Sequence, residues 1–230
     1  MPATPPPSTT SYAARPLGQL VRDIPGASAV FRRHRLDFCC GGDIPLEVAA
    51  QARQIDVRLI ERELVALDVG TSDDTPCDPD SLVGFIIGRF HDVHRRELPE
   101  LIILSATVER VHAGHGDVPA GLTGLLQNVL DELSRHMQKE EQVLFPMMRS
   151  NPGGFLAPPI ARMREEHKEH GRMLHHLQDL TRDLRLPSDA CNTWRALYVG
   201  LEKFTADIMQ HIHTENNILF PQFEARNGAS

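Results

Sequence analysis

The chain has 230 residues, 41% hydrophobic and 24% charged, with a formal charge of −7. It can bury a substantial core, and its negative balance argues against a nucleic-acid binder, which carries a basic face. No apolar run approaches the ~20 residues of a membrane span and no signal peptide is read at the start, so a cytoplasmic protein with reduced thiols at Cys39, Cys40, Cys77 and Cys191 is expected.

Aromatics are scarce at 5%, Leu and Ala are common, and β-branched runs are few, a balance that favours helix. Residues 1–14 begin MPATPPPSTTSY and read as a disordered tail. Residues 15–68 read as a small helical module. LGQLVRDI, PGASAVFRRH, PLEVAAQARQI and DVRLIERELVAL each carry short helical periodicity between Pro and Gly breaks. The basic patch FRRHR within it reads as a solvated helix face. Residues 69–77 are a linker by composition.

From 78 to 230 the pattern becomes long and regular. Asp78 caps a helix over about 79–113, with Pro79 in its first turn and Pro99 bending it. The spacing predicts further helices over about 120–149, 158–184 and 190–225, the last capped by Ser188. Pro146 and Pro221 each kink or end their helix. Four long helices with short turns predict an all-α, up-down-up-down four-helix bundle.

The bundle contains a duplication. HMQKEEQVLFP (His136 to Pro146) returns as HIHTENNILFP (His211 to Pro221), and the preceding helices carry His91 and His167 at matching distances upstream. Residues four apart share a helix face. His136 and Glu140 therefore lie on one stripe with Leu133 and Leu144, and His211 and Glu215 on one with Leu201, Phe204, Ile208 and Ile218. A carboxylate on such a stripe costs several kcal/mol unless it is paired or coordinates a metal. At a rise of about 1.5 Å per residue, His91, His136, Glu140, His167, His211 and Glu215 converge on one slab of the interior.

Four imidazoles and two carboxylates suit a pair of transition-metal ions. If both glutamates bridge, each ion receives two nitrogens and two carboxylate oxygens. Iron is favoured, because two ferrous ions and two ferric ions with one oxide leave the buried charge equal; zinc or manganese would satisfy the same ligand count. Of the remaining histidines, His94 could assist His91 or serve as an alternative ligand. His112 lies too far along the axis to join, and His170, His175, His176 and His213 read as surface or supporting groups. Glu141 and Glu166 either orient an imidazole through its other nitrogen or face solvent, and the solvent reading is preferred. Cys39 and Cys40, followed by Gly41 and Gly42, could present thiolates to iron, a nitrosyl group or a damaged cluster; equally, one could be a buried small hydrophobe. Cys77 and Cys191 read as incidental.

At these residues the chain is similar to the hemerythrin-like superfamily, although Gly171 stands where a hemerythrin would have its second helix-three histidine. The spacing instead resembles the Repair of Iron Centers family, of YtfE/ScdA type. The segments HDVHRRELPEL, VERVHA, HMQKEEQVLFPM, EEHKEHG and HTENNILFP carry the resemblance, with LDFCCGGD as the mark of the ScdA-type module. It implies iron ligands at His91, His136, Glu140, His167, His211 and Glu215, with bridging glutamates and an oxo or hydroxo bridge. It implies repair of iron–sulfur clusters damaged by nitrosative or oxidative stress, with Cys39 and Cys40 as functional thiols. The expected partners are damaged iron–sulfur proteins and the small ligands NO or O2; homodimerisation is left open. The alternatives are an O2- or NO-binding or sensing protein without turnover, and an NO reductase producing N2O.

Overall fold

The computed structural model describes residues 11–67, 75–76, 78–150 and 156–224. Cys77, the NPGGF turn, most of the expected tail and nearly all of the expected linker lie outside them. The chain divides into two compact units, one ending at Asp73 and the other beginning at Asp74. No strand occurs among the described residues, which show one isolated bridge between Pro16 and Pro45.

The first unit holds α1 (Leu17–Asp23), α2 (Ala27–Arg33), α3 (Leu46–Ala52) and α4 (Val57–Leu67). The helices are too short to be stable alone. They are fixed by a shared core that includes Leu20, Phe31, Phe38, Leu46, Ile60 and Leu64, all essentially inaccessible to solvent. The FRRHR patch does not simply face water: Phe31 is buried, and Arg33 and His34 both bind Glu63.

The second unit is built of four rods. The first runs through α5 (Pro79–Ile86), a π-helical turn (Ile87–His91) and α6 (Asp92–Val111). The second comprises α7 (Leu122–Lys139), a π turn (Glu140–Leu144) and α8 (Phe145–Ser150). The third is α9 (Ala157–Leu180). The fourth comprises α10 (Asn192–His213), a π turn (Thr214–Leu219) and α11 (Pro221–Glu224). α6 packs on α7 and α10, α7 on α9, and α9 on α10, which closes the ring of an all-α bundle. Gly200 permits part of this closeness, since a Cβ there would meet Leu101 Cδ2 at 2.6 Å.

Asp78 caps the first rod as expected, its Oδ1 accepting from the Ser81 amide at 2.9 Å. Ser188 does not cap the fourth, whose N-cap is Cys191. The third rod stops four residues short of the expected end, because Arg182, Asp183 and Leu184 turn into left-handed backbone with φ of 49°, 59° and 56°.

Pro146 and Pro221 neither end nor break their rods. Each follows a π turn, in which the amide of Phe145 reaches back five residues to the Glu140 carbonyl and that of Phe220 to the Glu215 carbonyl. A proline has no N–H and crowds the carbonyl four residues earlier. The wider turn ahead of it gives that carbonyl room, so the helix continues past the proline. The first rod makes the same turn without a proline, Asp92 N–H reaching the Ile87 carbonyl.

Candidate metal centre

The three π turns all occur at the level of the expected ligands: His91 ends the first, Glu140 opens the second, and Glu215 is the second residue of the third. A π turn carries an extra residue and re-aims the side chains around it, which is why such turns gather at functional sites. At this level six donors meet in the interior. His91, His136, Glu140, His167, His211 and Glu215 are each at most 1% exposed.

The donors form two groups. His91 and His211 meet Glu140 and Glu215; His136 and His167 meet the same two glutamates. Both carboxylates thus belong to both groups. Within each group the imidazoles face one another nitrogen to nitrogen, His91 Nε2 to His211 Nε2 at 3.1 Å and His136 Nε2 to His167 Nε2 at 3.0 Å. Carboxylate oxygens lie close by, at 3.2 Å from Glu140 to His136 and 3.0 Å from Glu215 to His167.

Three of the imidazoles are oriented from behind. His91 Nδ1 donates to Glu141 at 2.6 Å, His136 Nδ1 to Glu166 at 3.0 Å, and His167 Nδ1 to the Asn216 side-chain carbonyl at 2.9 Å. The solvent reading of Glu141 and Glu166 is therefore corrected. Glu141 is tied to Arg95, and Glu166 to Lys139 and Arg162. Once Nδ1 carries the proton, Nε2 presents a lone pair.

These donors fit a cation. Two lone pairs about 3 Å apart repel unless something positive lies between them. Nitrogens about 2.1 Å from an ion and at right angles around it would be about 3.0 Å apart, the spacing seen in both pairs. Glu140 makes no hydrogen bond through either buried oxygen, nor Glu215 through Oε2. Without a cation, protons must compensate the two carboxylates. Burial alone would lower the pKa of His136, yet Glu140, Glu166 and Glu215 together carry it well above the ordinary value. Glu140, raised by burial and by Glu215, is brought below its ordinary value by His136 and His91.

The repeated Leu-Phe-Pro has a purpose that its spacing alone does not disclose. Phe145 stacks on His91 and Phe220 on His167, each with ring centroids 6.0 Å apart. In both hairpins the π turn accommodates the proline, and the phenylalanine before it covers the partner rod's imidazole. A second repeat is His94 and His170, three residues after His91 and His167. Both are buried, at 1% and 6% exposure, against the surface reading of His170. Burial, aided by neighbouring imidazoles, drops each pKa to about 2, so both stay neutral. His170 also borders an apolar cavity of about 10 Å³ with Val129, Leu133, Phe204 and Ile208. The doubled His-x-x-His was the available signal for this pair. His213 is likewise buried, whereas His175 and His176 are exposed.

His112 lies elsewhere, its ring tilted against Trp194 with centroids 4.9 Å apart and its Nε2 3.2 Å from Cys191 Sγ. In the first unit, Asp37 Oδ1 accepts from the amides of Cys39 and Cys40 at 3.2 and 2.9 Å. Gly41 lets this loop close, since a Cβ there would meet the Asp37 carbonyl oxygen at 2.9 Å. The sulfurs of Cys39 and Cys40 are 3.9 Å apart and reduced. Cys39 is buried, and its thiol is held protonated by Cys40, by burial and by Asp37; Cys40 is partly open. With Asp37 they form a third group of potential metal donors.

No helix among the described residues is long and apolar enough to cross a membrane. Residues 86–223 match the hemerythrin HHE cation binding domain, and residues 13–68 match ScdA_N, a domain of unknown function. The chain is 46% identical to the iron-sulfur cluster repair protein YtfE of Musicola paradisiaca, over 92% of its own length and 96% of that protein. It is 45% identical to the YtfE proteins of Yersinia pseudotuberculosis serotype O:1b and Yersinia pestis strain Pestoides F, over 92% of its length and 97% of each. The chain belongs to the family of the YtfE iron-sulfur cluster repair proteins, with a hemerythrin HHE domain for its bundle.

Proposed function

We propose that this protein repairs iron–sulfur clusters damaged by nitrosative or oxidative stress, and that it does so with two iron ions held by His91, His136, Glu140, His167, His211 and Glu215. The observation that carries this reading is the sharing of Glu140 and Glu215 between two four-donor groups. One carboxylate on one imidazole is an ordinary buried pair; two carboxylates common to two imidazole pairs form a dinuclear ligand set. Bound there, iron supplies exchangeable ions and open positions for a small ligand. Glu140 and Glu215 balance its charge, Glu141, Glu166 and Asn216 fix the imidazole lone pairs, and Phe145 and Phe220 exclude water. The clients are damaged iron–sulfur proteins, as the names of the relatives indicate. Cys39 and Cys40 act at the docking or transfer step, Cys40 being the accessible thiol.

Purified protein is expected to hold two irons per chain by elemental analysis, with Mössbauer spectra of high-spin iron in nitrogen and oxygen coordination. Mixed with an NO-damaged cluster enzyme, it restores activity, and the Glu140→Ala/Glu215→Ala variant loses both iron and repair. Two tightly held irons in that variant would refute the ligand assignment. A Cys39→Ser/Cys40→Ser variant that repairs as well as the parent would remove the thiols from the scheme. A second reading places NO or O2 at the same centre, bound or turned over in the coordination positions that four imidazoles and two shared carboxylates would leave open. Anaerobic addition of NO separates the two: catalytic N2O favours turnover, and a lasting nitrosyl adduct favours binding alone.

A further inference from the structure

The duplication that builds the centre is broken behind one of its four imidazoles. Glu141 on the second rod corresponds to Asn216 on the fourth, and both accept a hydrogen bond from the partner rod's histidine, His91 and His167 respectively. The other two imidazoles should match likewise. His136 donates to Glu166, the residue just before His167. The corresponding residue, just before His91, is Phe90. His211 therefore finds an aromatic face where His136 finds a carboxylate. Its ring lies on Phe90 with centroids 5.2 Å apart and an interplanar angle of 14°. Its Nδ1 is buried and has no hydrogen-bond partner. Of the two donor groups, one has both imidazoles anchored through Nδ1 and the other has only one.

We infer that the two iron positions are unequal, and that the His91–His211 position is the exchangeable one from which iron leaves first. The inference rests on the di-iron reading above and adds which ion is given up. An acceptor behind a ligating imidazole fixes its ring and raises the basicity of the coordinating nitrogen; losing one typically weakens metal binding about ten- to a hundredfold. Phe90 fixes the His211 ring by stacking but, having no acceptor atom, cannot raise its basicity. At the His136–His167 position, Glu166 and Asn216 do both. For a protein that must keep a folded core while delivering iron, one anchored and one loosened position is a workable division.

The test is chelator challenge of the iron-loaded, full-length protein. One iron per chain is expected to leave about ten- to a hundredfold faster than the other. Iron-edge anomalous maps of crystals at the end of the fast phase then show the surviving ion between His136 and His167. Glu166→Ala accelerates the slow phase toward the fast one. Phe90→Glu, which supplies an acceptor at the repeat-equivalent position, slows the fast phase. Should Phe90→Glu fail to fold, the parent protein and Glu166→Ala decide the matter. Two irons released at one rate, or survival of the ion between His91 and His211, would overturn the inference while leaving the di-iron reading intact. Fewer than two bound irons at the outset would overturn the di-iron reading itself.

Discussion

At the scale of single residues, what decides chemistry here is the group behind a side chain rather than the side chain itself. Cys191 is an example far from the metal centre. His112 Nε2 sits 3.2 Å from its sulfur. That contact, with help from the Trp194 and Thr193 amides at the start of α10, lowers the thiol pKa to about 7. A thiolate is the reactive form. Alkylation of Cys191 by iodoacetamide, followed by peptide mass spectrometry, should therefore rise with pH through a midpoint near 7. His112→Ala should move the midpoint up toward the ordinary value of about 8.5 and slow labelling at pH 7 by roughly tenfold. An unchanged midpoint in that variant would assign the shift to the helix terminus instead. The sequence reading that Cys191 is incidental could not anticipate this pairing, because the two residues come from rods that meet only in the folded bundle.

At the scale of elements, the first π turn is held to the fourth rod by charge. Arg89 lies within that turn and donates to Asp207 on α10 at 2.7 Å, and Lys203 donates to the same carboxylate at 2.8 Å. Burial would raise the pKa of Asp207, but Arg89 and Lys203 outweigh it and the net shift is downward. A depressed folded-state pKa contributes stability above the unfolded value, and this is lost as pH falls through the folded one. Asp207→Asn should therefore destabilise the protein by about 1–3 kcal/mol at pH 7, and the gap to the parent should shrink below about pH 4. Urea unfolding at the two pH values checks this, and equal stability at pH 7 would mean that the clamp contributes nothing. The rods and the six donors could be read from the sequence, because 3.6-residue periodicity and the spacing of His136, Glu140, His211 and Glu215 are local properties repeated in register. The π turns could not. A hydrogen bond reaching five residues back leaves no periodic mark over one turn, and Pro146 and Pro221 read as helix breakers. The role of Glu141 was lost with them, since the extra residue in a turn decides which way its neighbours point; that of Glu166, on the uninterrupted α9, shows only once that rod packs on α7 and meets His136.

At the scale of the whole molecule, the six-donor group lies within one of the two compact units. The six donors, the acceptors Glu141, Glu166 and Asn216, and the covering rings of Phe90, Phe145 and Phe220 all lie between residues 90 and 220. Around them runs a core of the same unit, Leu82, Ile86, Leu144, Met148, Ile160 and Phe223 among it, each at most 2% exposed. A segment with its own core and its own ligands meets the requirements of an independent domain. Residues 75–230 produced alone should therefore fold, bind two irons per chain and unfold cooperatively. Because the metal binds the folded state and not the scattered ligands of the unfolded chain, iron should raise the unfolding midpoint; an ion at a hundred times its dissociation constant adds about 2.7 kcal/mol per site. Acidification should erase that increment, since ligating imidazoles must be neutral. Elemental analysis and thermal unfolding of the fragment, with and without iron at pH 7.5 and pH 5, make the test. If the fragment bound less than one iron, or lost its iron-dependent shift at neutral pH while the full chain kept it, the first unit would have to be counted as part of the metal-binding fold.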